Sequence, residues 1–186
     1  MSDEREKTIK ALTICQPWAW AILHGPRDGV AWKRFENRGW QSDYVGPLVI
    51  HAGKSEAWME DGMRFLREQG LSPLRSELVF GSILGVVEMV DCVRPASAVR
   101  EDGSQDPYAS GPYCHVYANP RRLAKPVPFK GKQGFYAVPR SLVAELLDGV
   151  APAEPGATRE SRIERAIEAA GGVGVLRPAA QAELFG

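Results

Sequence analysis

Leu12–Gly25 reads LTICQPWAWAILHG, Lys33–Trp40 reads KRFENRGW and Tyr44–Ala52 reads YVGPLVIHA, and these three pieces decide how the chain folds. The first predicts a strand over Ala11–Cys15 and a helix entered at Pro17, a position where a missing N–H costs nothing. Trp18, Ala21, Ile22 and Gly25 follow the spacing of one packed helical face, and Gly25 suits a left-handed exit. The second piece sets Lys33, Arg34, Glu36 and Arg38 among Trp32, Phe35 and Trp40, an unusual density of charge for a plain core element. The third is a short apolar strand, Leu48–Ala52, with His51 at its end.

Outward from that stretch, Ser55–Gln69 reads as an amphipathic helix closed by Gly70, with Met59, Gly62, Met63 and Leu66 on one face beside Trp58 and Phe65. Ile83–Val90 is the clearest strand. Glu88 falls in the same period-two series as Leu84, Val86 and Val90, so its carboxylate must reach a cation or be desolvated. Arg94–Pro107 reads as an exposed polar loop, and Tyr113–Tyr117 and Gly134–Val138 as further short strands. Ser141–Leu147 is a short helix, Ala151–Ala157 a linker, and Thr158 the N-cap of a final helix. This divides the chain into a domain over 8–150 and an appendage over 151–186. Short strands separated by turns fit a barrel or a sandwich equally.

The 186 residues carry 23 Lys and Arg against 23 Asp and Glu, so no overall basic field draws nucleic acid. The distribution is uneven. Pro107–Ala144 has no acid but holds Arg121, Arg122, Lys125, Lys130, Lys132 and Arg140, a local run able to follow phosphates or simply a solvated loop. The charged start MSDEREKTIK lacks an apolar region behind it, and no apolar run reaches membrane-span length, which points to a cytoplasmic protein with no membrane partner. Cys15, Cys92 and Cys114 lack metal-site spacing, no His pair supplies it, and neither metal nor cofactor is expected.

Gln16-Pro17-Trp18, Lys33-x-x-Glu36-x-Arg38 and Ile50-His51-Ala52, in that order, resemble the ASCH domain family. The likeness continues through Gly81–Val93, Gly111–Leu123 and Pro126–Val138. It implies an α+β fold: a small PUA-like β-barrel, mixed and mostly antiparallel, with helices packed outside it and a C-terminal helical tail. It also implies a ligand cleft beside the first helix and binding of RNA, single-stranded nucleic acid or a modified nucleotide. Similar small bacterial proteins are amidohydrolases on acetylated cytidine, using a lysine, a threonine and a glutamate, and others have been described as ribonucleases. The matching catalytic candidates are Lys33, Glu36 in the threonine's place, and Glu88. A carboxylate at position 36 removes the hydroxyl nucleophile. The insert Pro26–Trp32 also departs from the family's spacing and bears on where Lys33 lies.

Around these, Trp40, Trp18 or Tyr113 offers a face for a base, while Arg38 and the Lys130-Gly131-Lys132-Gln133 loop offer phosphate contacts. His51 is placed to hydrogen-bond the cluster. Lys33 and Glu36 point to opposite faces of a regular strand and converge only across a bend or bulge. A buried ion-pair cluster among Lys33, Arg38, Glu36 and Glu88 is the competing expectation. Finally, Gln181, Leu184 and Phe185 in QAELFG resemble the short peptide by which bacterial DNA polymerases and repair proteins dock on the β sliding clamp. That makes the clamp a candidate partner, against the alternative that Leu184 and Phe185 cover the domain's own core.

Overall fold

Six strands form one sheet, in the order β2-β5-β4-β3-β1-β6. They are β1 (Thr8–Ile14), β2 (Phe35–Arg38), β3 (Gly46–Ala52), β4 (Ser82–Val93), β5 (Tyr113–Pro128) and β6 (Phe135–Pro139). Among the described residues they are accompanied by the helices α1 (Trp18–Leu23) and α2 (Met59–Glu68), together with short 3-10 turns. The computed structural model describes residues 7–25, 32–100, 102–147 and 161. The expected linker and final helix, and Gln181, Leu184 and Phe185, lie outside these.

The expected α+β composition is present, but the closed PUA-like barrel is not. β2 and β6 are the two edges of an open sheet, and among the described residues they do not pair with each other. The sheet is mixed, with β1 parallel to β3 and antiparallel to β6, and β2 antiparallel to β5. Turn-punctuated strands specify how many ladders form, not whether the first and last join. Here both edges are short and carry edge-blunting residues, Glu36 and Arg38 on β2 and Pro139 at the end of β6.

The chain divides into two units. The described residues of Met1–Lys33, Pro47–Val87 and Pro120–Pro152 form one, and those of Arg34–Gly46 and Glu88–Asn119 belong to the other. In the first unit, Ile9, Ala11, Val49, Ile83, Val86, Leu123, Tyr136 and Val138 form a continuous core, closed by Val143 and Leu147 from the 3-10 turn after β6. Helix α1 buries Ala19, Trp20, Ala21, Ile22 and Leu23, nearly its whole circumference rather than one face. Gln16 stabilises its start: Oε1 accepts the Trp20 N–H at 3.0 Å, and Nε2 donates to the Val79 carbonyl at 2.7 Å. Gly25 ends the turn at φ 61, as expected. On α2 the predicted face holds, with Gly62 and Leu66 buried. A Cβ at Gly62 would lie 2.6 Å from Pro17 Cδ, so the glycine lets the helix approach the Gln16–Pro17 cis peptide segment.

In the second unit, Phe35, Met89, Val90, Cys114, Val116 and Tyr117 are buried. Asn37 ties its loop down: its Nδ2 donates to the Tyr108 carbonyl at 2.8 Å, and its Oδ1 accepts the N–H groups of Ser110 and Gly111 at 3.0 Å each. The 94–107 segment, expected to be an exposed loop, is pinned in place. Ala98 and Asp106 are buried, and Gln105 Nε2 donates to the Pro95 and Ala98 carbonyls. Among the described residues no helix is long and apolar enough to cross a membrane.

Candidate functional site

A cleft of about 890 Å³ opens in the first unit. Its walls come from four places in the sequence: Thr13 on β1, Gly53 and Lys54 after β3, Gly81 before β4, and the segment from Pro128 to Gln133 between β5 and β6. Lys54, Lys130 and Lys132 are all exposed, and among the described residues no Asp or Glu lines the cleft. Of the residues expected to bind ligand, Lys130, Lys132 and Gln133 therefore lie together in one wall.

His51 lies beneath that wall, buried, and takes part in a chain of hydrogen bonds that fixes the lysine loop. Thr13 and His51 are direct partners in the parallel β1–β3 register, and Tyr136 reaches Thr13 from β6. His51 Nε2 lies 2.9 Å from the Phe129 carbonyl, which can only accept, so Nε2 carries the proton. In the neutral ring Nδ1 is then an acceptor and takes the Thr13 hydroxyl at 3.3 Å. Thr13 Oγ1 in turn accepts the Tyr136 hydroxyl at 3.1 Å, and the Tyr136 oxygen accepts the Lys132 backbone N–H. Burial holds the His51 imidazole below its ordinary pKa, against the opposing pull of the Phe129 carbonyl, which agrees with the neutral tautomer. Burial likewise pushes the Tyr136 hydroxyl up, against the N–H that Lys132 donates to it. The relay thus grips the loop at Phe129 and Lys132. Between them, Gly131 passes so close that a Cβ would lie 2.6 Å from His51 Cε1 and 2.7 Å from Thr13 Oγ1. A Cβ at Gly81, whose carbonyl accepts the Phe129 N–H at 3.0 Å, would lie 2.9 Å from Lys54 Cε, so the lysine stem rests on bare backbone.

The other candidates have different surroundings. Lys33 belongs to the first unit, is 3% exposed, and holds its ammonium 5.4 Å from the centre of the Trp18 ring. Just before it, Trp32 Nε1 donates to the Ile22 carbonyl at 2.7 Å; residues 26–31 of the insert lie outside the described set. Glu36, Arg38, Trp40, Glu88 and Tyr113 belong to the second unit. Glu36 and Arg38 pair at 3.1 Å, and Glu36 faces His115 across the β2–β5 ladder. Trp40 sets its edge against His115, ring centres 4.7 Å apart. Burial and then the Arg38 charge lower the His115 pKa to about 4, although Glu36 and a hydrogen bond to the Trp40 backbone act the other way. Tyr117, whose hydroxyl has no hydrogen-bond partner among the described residues, is pushed well up by burial and by Glu36. Glu88 is 7% exposed on a stretch of β4 buried on both faces, so the alternation expected of that strand is absent. Arg94 covers one face of Tyr113, 4.1 Å from the ring centre, and donates to its hydroxyl at 3.1 Å.

Sequence reasoning singled out His51 and the lysine loop but missed Thr13, Lys54 and Tyr136. A polar Thr13 inside an otherwise apolar strand was the available signal. Among the described residues no three His, Cys, Asp or Glu side chains gather as a metal-binding set. No family model matches this chain, and no curated protein sequence does. The ASCH likeness therefore rests on its quoted motifs alone, and neither the RNA-binding nor the hydrolase expectation attached to it gains support from comparison.

Proposed function

We propose that this protein binds a nucleotide, free or within a single-stranded nucleic acid, by its phosphate in the cleft of Lys54, Lys130, Lys132 and Gln133. The observation that carries this reading is the lining itself: lysines from two segments, no carboxylate among the described residues, and a volume suited to a nucleotide-sized ligand. Preorganisation adds to it. The relay from Tyr136 through Thr13 to His51 holds the loop before any ligand arrives, which reduces the ordering cost of binding. Thr13 is already committed to two hydrogen bonds beneath Gly131, an arrangement that favours positioning over nucleophilic attack.

The test is a titration of labelled single-stranded oligonucleotide across a salt series. Lys130→Ala combined with Lys132→Ala should lower affinity about tenfold and flatten the slope of log affinity against log salt by about 1, because fewer phosphates are neutralised and fewer counterions released. An unchanged affinity and slope in the double variant would remove the cleft from the binding site.

A further inference from the structure

We infer that the cleft takes a terminal phosphate monoester, such as a nucleoside 5′-phosphate or the 5′-phosphorylated end of a strand, in preference to an internal phosphodiester. This deepens the phosphate-binding reading above and rests on it. Three observations point this way.

The first is charge. Lys54 comes from the segment after β3, and Lys130 and Lys132 from the loop between β5 and β6, so a group in the cleft meets cations from two segments of the chain, with no carboxylate in the lining among the described residues. An internal phosphodiester carries one negative charge, whereas a monoester with a second pKa near 6 carries about 1.5 to 2 at neutral pH. The more highly charged group draws more from three lysines.

The second is extent. A backbone-tracking site needs a continuing line of cations. The basic run of the sequence does not supply one here, because Arg121, Arg122 and Lys125 are absent from the lining. Arg122 is engaged elsewhere, with Nη1 donating to His24 Nε2 at 2.7 Å while His24 Nδ1 donates to the Trp20 carbonyl. Among the described residues the cationic lining of the cleft is these three lysines.

The third is shape. Pro128 and half-buried Phe129 add apolar surface beside the lysines. A compact head with a flat apolar nucleoside behind it matches that lining better than a strand entering and leaving.

The experiment compares two single-stranded decamers of one sequence, 5′-phosphorylated and 5′-hydroxyl, and in parallel a nucleoside 5′-monophosphate and its parent nucleoside. The phosphorylated decamer should bind at least tenfold tighter than its hydroxyl twin, and Lys54→Ala should erase most of that difference. Equal affinity of the two decamers, with clear binding of both, overturns the inference and leaves the phosphate-binding reading standing. Failure of every probe to bind overturns both. If the monophosphate matches the phosphorylated decamer, the free nucleotide is the smallest sufficient ligand. If only the decamer binds, the strand end is required. Either result upholds the terminal phosphate.

Discussion

Lys54, Lys130 and Lys132 are exposed around a cleft that no carboxylate lines among the described residues, whereas Glu36 and Arg38 of the second unit pair at 3.1 Å with most of both side chains buried. Both groups come from the charged segments that stood out in the sequence. What separates them is compensation. In a buried ion pair the attraction of each charge is already offset by its partner and by the desolvation of both ions, so little is left for a ligand. Exposed lysines without neighbouring acids keep theirs, and with it a sensitivity to salt. Density of charge among aromatics therefore marks the packed cluster, and the quieter Gly-Lys-Gln loop marks the candidate binding surface.

The sharpest way to break this contrast is to remove one member of the buried pair. Glu36→Ala leaves Arg38 without its carboxylate and should destabilise the protein by about 3 kcal/mol, as for breaking other buried pairs. Oligonucleotide affinity at the cleft should stay within about twofold under conditions where the variant is folded. Denaturant unfolding and the binding titration read the two quantities separately. The opposite result, stability retained and binding abolished, would return Glu36 to the centre of function.

Acid provides a second test on the same cluster. The His115 pKa falls to about 4 in the folded protein through burial and the nearby Arg38, while an unfolded histidine titrates near 6.5. The depressed value means that stability is fully present above about pH 6.5. Below that the unfolded chain takes up a proton first, so stability declines until about pH 4 and then levels. At about 1.4 kcal/mol per pH unit for one proton, the whole loss is on the order of 3 kcal/mol. Unfolding free energy measured across this window should fall in the native protein and fall less in His115→Gln. A flat profile would show that the imidazole is not held neutral, and with it that the cluster is less desolvated than its burial indicates.

Local chemistry made much of this fold legible. The opening strand, the helix after Pro17, its end at Gly25 and the α2 face all follow from spacing and turn residues that act within a few positions. Two kinds of information were out of reach. Edge pairing is not written in any one strand, so the barrel could not be told from an open sheet. Tyr113–Tyr117 reads as a short strand, yet β5 continues to Pro128 past an Asn119 at φ 49. The relay was hidden for the same reason as the edges. Thr13 and Tyr136 lie 123 residues apart, and only the β1–β6 pairing brings them together. Lys130, Lys132 and Gln133 were legible because a basic loop without acids is a local property.

The smallest expected effect probes the relay itself. Thr13→Val keeps the shape of the side chain and deletes the hydroxyl that His51 Nδ1 accepts and that Tyr136 donates to. Two polar groups then lose a partner in a partly buried place, at a cost of about 1 to 2 kcal/mol. The hydroxyl of Tyr136 loses its acceptor beside the Lys132 N–H, and His51 loses the hydrogen bond that orients its ring toward Phe129. The lysine loop should therefore sample more conformations, and phosphate affinity should fall a few-fold with the salt slope preserved, because all three lysines remain. That combination differs from the Lys130/Lys132 variant, which lowers affinity and slope together. Thr13→Ser restores the hydroxyl and should recover both stability and affinity. Amide hydrogen exchange at Gly131 and Lys132 gives the direct reading: faster exchange in Thr13→Val and native-like exchange in Thr13→Ser. Equal protection in the valine variant and the native protein would mean that backbone contacts alone hold the loop.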